Sequence, residues 1–438
     1  MKIVYLAAGA GGMYCGSCLH DNTLVAAILS AGEDALLVPT YTPLRTDEES
    51  VSQRELFFGG INVYLQQKLP LFRRTPRFFD RLLDSPALVS WAARRGAGTD
   101  PARLGDLTVS ILRGEDGNQR KEVLRLVEWL AHVARPDVLH LSNAMLLGMI
   151  YDLRRRLDVP IVCSLSGEDI FLEKLAAPHY SQARDELRRR AENVAALVAL
   201  NRYYADYMAD YLDVEPARIR VVPHGLNLSG YAPHGRERNA GTVTIGYFAR
   251  ICPDKGLHVL AEAFEHLAGD PTLPPLRLVS AGYLGPADRP YLTRIKTRLA
   301  ERGLADRFAY LGEMDRAAKI NFLQGLDIMS VPTVYRESKG ISILEAWAAG
   351  VPVVVPAHGA FPEMLADTGG GLLCEPENPR SLAEQLRRLI VESSLASACG
   401  ARAQQAVRER YHAVQMARQT LSIYHAVLEA RRGCPVTR

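Results

Sequence analysis

The sequence predicts an α/β protein of two doubly wound, Rossmann-like domains, each a parallel sheet with helices on both faces. Three observations carry that expectation. The chain has 438 residues, more than one ordinary hydrophobic core organises. Short, nearly continuous apolar runs alternate with helical sequence, as strands do when both faces of a parallel sheet are covered. That alternation runs through the first half, stops at a polar, glycine-containing stretch, and begins again.

The first strand is "KIVYLAA". The opening "MKIVYLAAGAGG" has the lysine and small residues of a signal peptide, but its apolar run is short and leads straight into a glycine loop, so it reads as a buried strand. "DNTLVAAILSAGED" is a helix closed by Gly32, and "ALLVP" is a second strand. "PDVLHLS", "VPIVCSLS", "ALVALN" and "IRVVPHG" follow as strands. Over residues 42–133 the rhythm breaks, which marks an inserted region. It resumes with "TVTIGYFA", "LRLVSAG", "RFAYLG", "LDIMSVP", "GVPVVVP" and "GGLLCEP". Domains are therefore expected at 1–226 and 242–410, with a linker at 227–241. Residues 411–438 form an amphipathic helix expected to pack back towards the first domain.

Composition excludes several classes. With 48% hydrophobic and 23% charged residues the chain is globular, and a net charge of +3 is too small to argue for nucleic acid. No apolar run approaches a membrane span. Seven cysteines, an odd number spread over a long chain, fit a reducing cytoplasm.

Tandem doubly wound domains are expected to face each other across a cleft, with ligands at the carboxyl ends of the strands. Loops after strands are therefore where chemistry is sought. "YFARICPDKGLHVLAEAF" places Arg250 and Lys255 before a helix opened by Gly256, two cations beside free N–H groups, which suits a diphosphate. A surface arginine and lysine near a turn is the bland reading. In "VYRESKGISILEAWAAG", Glu337 lies in a loop and Glu345 inside the next helix, with Ser338, Lys339, Gly340 and Ile341 supplying backbone donors between them. Surface charge is again the alternative, but Glu345 sits between Leu344 and Ala346, where an unpaired carboxylate is costly.

Arg250, Lys255-Gly256, the E-x7-E pair Glu337 and Glu345, and the following "GVPVVVP" together resemble the retaining nucleotide-sugar glycosyltransferases of family 4, which have the GT-B fold. "IRVVPHGLNLSGYAP" and "HGAFPEML" extend the resemblance. It implies that Arg250 and Lys255 bind the donor diphosphate and that Glu337 contacts the donor sugar. It further assigns backbone groups of residues 338–341 to phosphate or sugar, and Glu345 to the ribose. Catalysis without metal or cofactor is implied, the helix start and the two cations stabilising the leaving diphosphate. The resemblance also implies a retaining step by front-face attack within a loose ion pair, in which the two glutamates are not a hydrolase acid/nucleophile pair.

Two departures stand out. Ser338-Lys339-Gly340 replaces the family's small, aromatic or apolar, then glycine run, and Ser166 stands where the family often has histidine. Glu168 and Asp169 either bind acceptor hydroxyls there or cap the following helix. His140 and His224 follow strands and are equally structural histidines or acceptor-side contacts. In the loop "GAGGMYCGSCLHDN", Gly11 and Gly12 are the implied backbone contacts to donor phosphate or acceptor; neither a Walker nor a dinucleotide motif fits. Cys15 and Cys18 are packing thiols, a redox pair acidified by the helix N-terminus, or metal ligands with His20.

Residues 69–83, bounded by Leu69 and Leu83, set Arg73, Arg74, Arg77 and Arg81 among phenylalanines and leucines. They form either an ordinary surface helix or a weak peripheral membrane contact. The expected function is metal-independent, retaining transfer from a nucleotide sugar to a sugar, lipid or small-molecule hydroxyl, in the cytoplasm or at the inner face of a membrane. An inactive nucleotide- or sugar-binding protein of the same fold, or a thiol-redox or metal protein using Cys15 and Cys18, is the alternative.

Overall fold

The computed structural model describes residues 1–9, 15–53, 66–67, 104–232 and 241–432. Gly11, Gly12, residues 69–83 and most of the inserted region lie outside the described residues. The chain divides into two compact units, Met1–Gly225 with Ala413–Arg438, and Leu226–His412.

In the first unit the described elements run β1 (Lys2–Ala7), α1 (Gly16–Ser30), β2 (Asp34–Pro39), α2 (Gly105–Leu112), α3 (Arg120–Trp129), β3 (Val138–Leu141) and α4 (Ile150–Arg156). They continue as β4 (Ile161–Ser164), α5 (Glu168–Leu172), α6 (His179–Ala191), β5 (Ala196–Ala199), α7 (Arg202–Leu212) and β6 (Ile219–Val221). The sheet order is β2-β1-β3-β4-β5-β6, parallel throughout. Because successive side chains point to opposite faces, the strands split their apolar residues between two cores. Val4, Leu6, Leu139, Leu141, Ile161 and Leu197 enter one. Ile3, Tyr5, Ala7, Val138, Val162 and Val198 enter the other, with Leu24, Val25 and Ile28 of α1. This double burial is why the strands read as unbroken apolar runs.

The second unit runs β7 (Val243–Phe248), α8 (Leu257–Ala268), β8 (Leu276–Ala281), α9 (Arg289–Glu301), β9 (Phe308–Tyr310), α10 (Arg316–Gln324) and β10 (Ile328–Ser330). After these come α11 (Ile341–Ala348), β11 (Val353–Pro356), α12 (Phe361–Thr368), β12 (Gly371–Cys374), α13 (Pro379–Val391) and α14 (Ser393–Arg410). Its order, β12-β11-β10-β7-β8-β9, is again all parallel. The chain moves outward from β7 through β8 to β9, then returns to the other side of β7 as β10. Winding therefore reverses between β7 and β10, and the carboxyl ends of these two strands are the place where open parallel sheets bind ligands.

The last helix, α15 (Ala413–Arg432), belongs to the first unit. Its Met416, Ala417 and fully buried Tyr424 complete the core that α1 also covers. The Tyr424 hydroxyl lies 2.6 Å from Nδ1 of His140. Tyr424→Phe therefore strips a buried partner from that ring, and we expect a loss of about 1–3 kcal/mol, read from the first unit's transition in urea unfolding.

Candidate functional site

The loop after β7 holds Arg250 and Lys255. Arg250 is exposed, with Nε donating to Cys252 Sγ at 3.3 Å. Gly256 caps α8 with φ of +75°, and a Cβ there would lie 1.8 Å from the Pro332 carbonyl oxygen. Only glycine allows both that backbone angle and that approach. The loop thus rests against the one that follows β10, and the Val334 N–H donates to the Asp254 carbonyl at 2.9 Å.

That second loop carries Glu337, which is 7% exposed. Its Oε2 accepts from Lys255 Nζ at 2.7 Å and from the Tyr335 hydroxyl at 2.8 Å, and its Oε1 accepts from the Lys339 N–H at 3.1 Å. Lys255 Nζ also donates to the Tyr335 hydroxyl and lies 4.9 Å from the centre of the Tyr335 ring. Burial pushes the Glu337 carboxyl up, but the Lys255 charge and hydrogen bond, with the Lys339 N–H and the Tyr335 hydroxyl, outweigh it and bring it down to about 2. The Glu337 backbone is fixed as well. Its carbonyl accepts from the Ala360 N–H at 2.8 Å, and His358 Nε2 donates to the neighbouring Thr333 carbonyl at 2.9 Å.

Gly340 is the N-cap of α11, with φ of +65° and no side-chain cap for the first-turn N–H groups. Those groups and the positive helix end are suited to an anion. Ser338 and Ile341, flanking this turn, are buried. Lys339 is half-buried, and the backbone bond to Glu337 is one contact that places it. About one turn into α11, Glu345 is 4% exposed, and its Oε1 accepts from Lys319 Nζ at 2.5 Å. Lys319, on α10 and 3% exposed, was not among the expected site residues. A signal was present: Lys319 stands one turn before the apolar Leu323, and a buried Glu345 requires a cation.

In the first unit the candidate acceptor-side residues lie in hydrogen-bonded networks. His140 is fully buried, with Nδ1 on Tyr424 and Nε2 2.8 Å from the Ser164 hydroxyl, so both ring nitrogens are spent. Burial, and secondarily His20, hold it down to about 3, and it stays neutral. Glu168 accepts from the N–H groups of Ala144 at 2.7 Å and Ser166 at 2.8 Å, lacing the loop after β3 to the loop after β4. Asp169 accepts from the Tyr204 hydroxyl at 2.6 Å, and that hydroxyl accepts from the Gly167 N–H at 2.8 Å. Burial raises both carboxyls. His224 is also buried, its Nδ1 2.9 Å from His20 Nδ1, so one ring donates and the other accepts.

The thiols of Cys15 and Cys18 are not joined in a disulfide. Cys15 is the N-cap of α1, but its hydrogen bond to Cys18, followed by burial, pushes the Cys18 thiol well above its usual range rather than acidifying it. Among the described residues no group of three or more His, Cys, Asp and Glu side chains is placed to hold a metal ion. A cavity of about 580 Å³ in the first unit, lined by Arg202, Arg220, Val221, Gln419, Ser422 and Ile423 among others, contains none of the expected site residues.

Residues 235–406 match the family described as glycosyl transferases group 1, and residues 70–229 match glycosyltransferase family 4. The D-inositol 3-phosphate glycosyltransferase of a Nocardioides species is 28% identical over 395 residues, covering 84% of this chain and 85% of that protein. The protein of the same name from Mycobacteroides abscessus is 30% identical over 198 residues, 43% of this chain and 42% of its own length. The chain spans about half the length of the first curated relatives it matches, 42% and 50% for two of them. Sucrose-phosphate synthase from Thermosynechococcus elongatus superposes with a TM-score of 0.72 at 16% identity, over 98% of this chain and 100% of that one. Anabaena HepE in complex with UDP and glucose gives 0.66 at 18% identity, over 97% and 100%.

Two predictions follow from this geometry. Lys319→Met leaves the Glu345 carboxylate buried without its cation, which costs about 3–5 kcal/mol; Lys319→Met/Glu345→Met restores most of that, both read from the second unit's denaturant midpoint. The Glu337 carboxyl titrates near 2 in the fold against an ordinary 4.5. Its ionisation therefore stabilises the fold fully above pH 4.5, and that contribution fades as pH falls from 4.5 towards 2. In acid unfolding followed by fluorescence, the wild type loses its advantage over Glu337→Gln across that window.

Proposed function

The chain belongs to the family 4 glycosyltransferases of GT-B fold, and from that premise we propose that it moves a sugar from a nucleoside-diphosphate sugar to a hydroxyl acceptor, with retention of configuration and without a metal ion. One observation supports this reading above others: the reversal of strand order in the second unit sets two cations, an ionised carboxylate and an uncapped helix start around one opening.

Each group has a task. As the glycosidic bond breaks, negative charge builds on the diphosphate; Arg250, Lys255 and the N–H groups at the start of α11 stabilise it where it develops. Glu337 accepts hydroxyl hydrogens of the donor sugar, and Glu345 those of the ribose. Held near 2, Glu337 carries no proton to deliver at neutral pH, so it is unsuited to be a general acid. The Glu345 charge faces Lys319. Neither fits the paired-carboxylate scheme of sugar hydrolysis, which favours front-face attack by the acceptor hydroxyl on an ion-paired donor. The acceptor is a sugar, lipid or small molecule, and the enzyme works in the cytoplasm. No helix among the described residues is long and apolar enough to cross a membrane; residues 69–83 are the proposed peripheral contact with its inner face.

A second reading, a nucleotide-sugar-binding protein without turnover, is favoured by Ser166 in the family's histidine position and by the internal bonds of Glu168 and Asp169. Thermal shift across UDP-, GDP- and ADP-sugars identifies the donor, since a ligand of the native state raises its stability. Sugar release from that donor by purified protein then separates the two readings. With the true donor, Arg250→Ala, Lys255→Ala and Glu337→Ala should each lower transfer by about 100-fold or more. Full activity in the exposed-site variant Arg250→Ala would remove the diphosphate assignment.

A further inference from the structure

We infer that Tyr335 is a positioning residue that aims Lys255 at the donor diphosphate, an inference that rests on the donor site proposed above. Nothing in the E-x7-E spacing singles out Tyr335; its part comes from geometry. The hydroxyl donates its one hydrogen to Glu337 Oε2 at 2.8 Å and accepts from Lys255 Nζ, while Nζ donates to that same Oε2 at 2.7 Å. Lysine, tyrosine and glutamate thus close a three-membered ring in which every hydrogen has a defined direction. The phenol cannot reverse its role. Burial and the adjoining Glu337 charge raise it well above its ordinary range, so it remains a donor towards the carboxylate.

Donor counting gives the ring its consequence. An ammonium has three N–H groups. Two go to Tyr335 and Glu337, and the third is left for an anion, on a side chain that is 21% exposed and therefore reachable. Two acceptors, the Tyr335 hydroxyl and Glu337 Oε2, hold the end of the long lysine stem and limit its sideways movement. A freely rotating lysine would sacrifice rotamer entropy on meeting a diphosphate; here that loss is taken in the fold. Glu337 meanwhile keeps acceptor capacity on Oε1, where the Lys339 N–H at 3.1 Å fills one of two lone-pair directions. One tyrosine hydroxyl therefore orients both the group assigned to phosphate and the group assigned to sugar.

The test is titration calorimetry with inorganic pyrophosphate in the presence of a chelator, which probes the cation pair without regard to base or sugar. Wild type should bind, and Arg250→Ala and Lys255→Ala should bind about 10-fold or more weakly. Tyr335→Phe keeps the ring and removes the hydroxyl; we expect affinity about 3- to 10-fold lower, from one hydrogen bond's worth of orientation. In Lys255→Ala/Tyr335→Phe the tyrosine change should have no further effect, because its influence passes through the lysine. Unaltered pyrophosphate affinity in Tyr335→Phe, or additive losses in the double variant, would overturn the inference while leaving the donor site standing. Absence of binding by wild type to pyrophosphate and to UDP, GDP and ADP would overturn both. Should Tyr335→Phe melt early, the comparison within the Lys255→Ala background still decides, since a general loosening lowers affinity there too.

Discussion

The ion pair between Lys255 and Glu337 joins residues 82 positions apart in the chain, and the rest of the candidate site depends on it. Each partner alone would be expensive to bury: the carboxylate is almost closed off from water, and the ammonium is mostly so. Together, and with Tyr335 beside them, their two charges offset each other. The pair's cost is met by backbone that admits no other arrangement. Gly256 lets the first loop lie on Pro332, and Gly359, with φ of +61°, lets the loop after β11 close on the backbone of Glu337. A side chain at either glycine would push the partners apart.

Charge is used differently in the first unit. There the polar residues near strand ends form internal fabric: His140 is clamped between Ser164 and Tyr424, Glu168 binds backbone from two loops, and His20 and His224 share one contact. The networks around His140 and Glu168 rigidify their loops because a lost partner in low dielectric is costly. The contrast with the second unit is physical. A buried group whose hydrogen-bonding capacity is spent serves the fold, whereas Lys255 keeps an unspent donor on a reachable side chain.

Much of this architecture was legible in the chain. The strands among the described residues fall on the apolar runs that periodicity picks out, β2 starting one residue earlier at Asp34, because a strand buried on two faces is mostly apolar. The start of α1 was less legible: the helix begins at Gly16, ahead of the apolar run at Leu24, since the polar residues of its first turns are buried by tertiary contacts that composition does not show. The residues grouped around Glu337 were legible through their order along the chain. Tyr335 was not, because an ordinary tyrosine in a loop carries no pattern until something buried faces it, and Lys319 had only the weak signal of a buried glutamate in need of a cation.

By itself, the sequence determined which segments are strands and helices, that two such sets follow one another, and which loops carry cations and carboxylates. These are local properties, written in periods of two and 3.6 residues. The tertiary structure alone decided which loops are neighbours, and so which charge meets which. Strand order is a matter of long-range pairing, and only the return of β10 to the free side of β7 brings Glu337 to Lys255. The same long-range packing made His140, Glu168, Asp169 and His224 part of the interior. Which partners each of these side chains meets is set by that packing, and no residue type announces it.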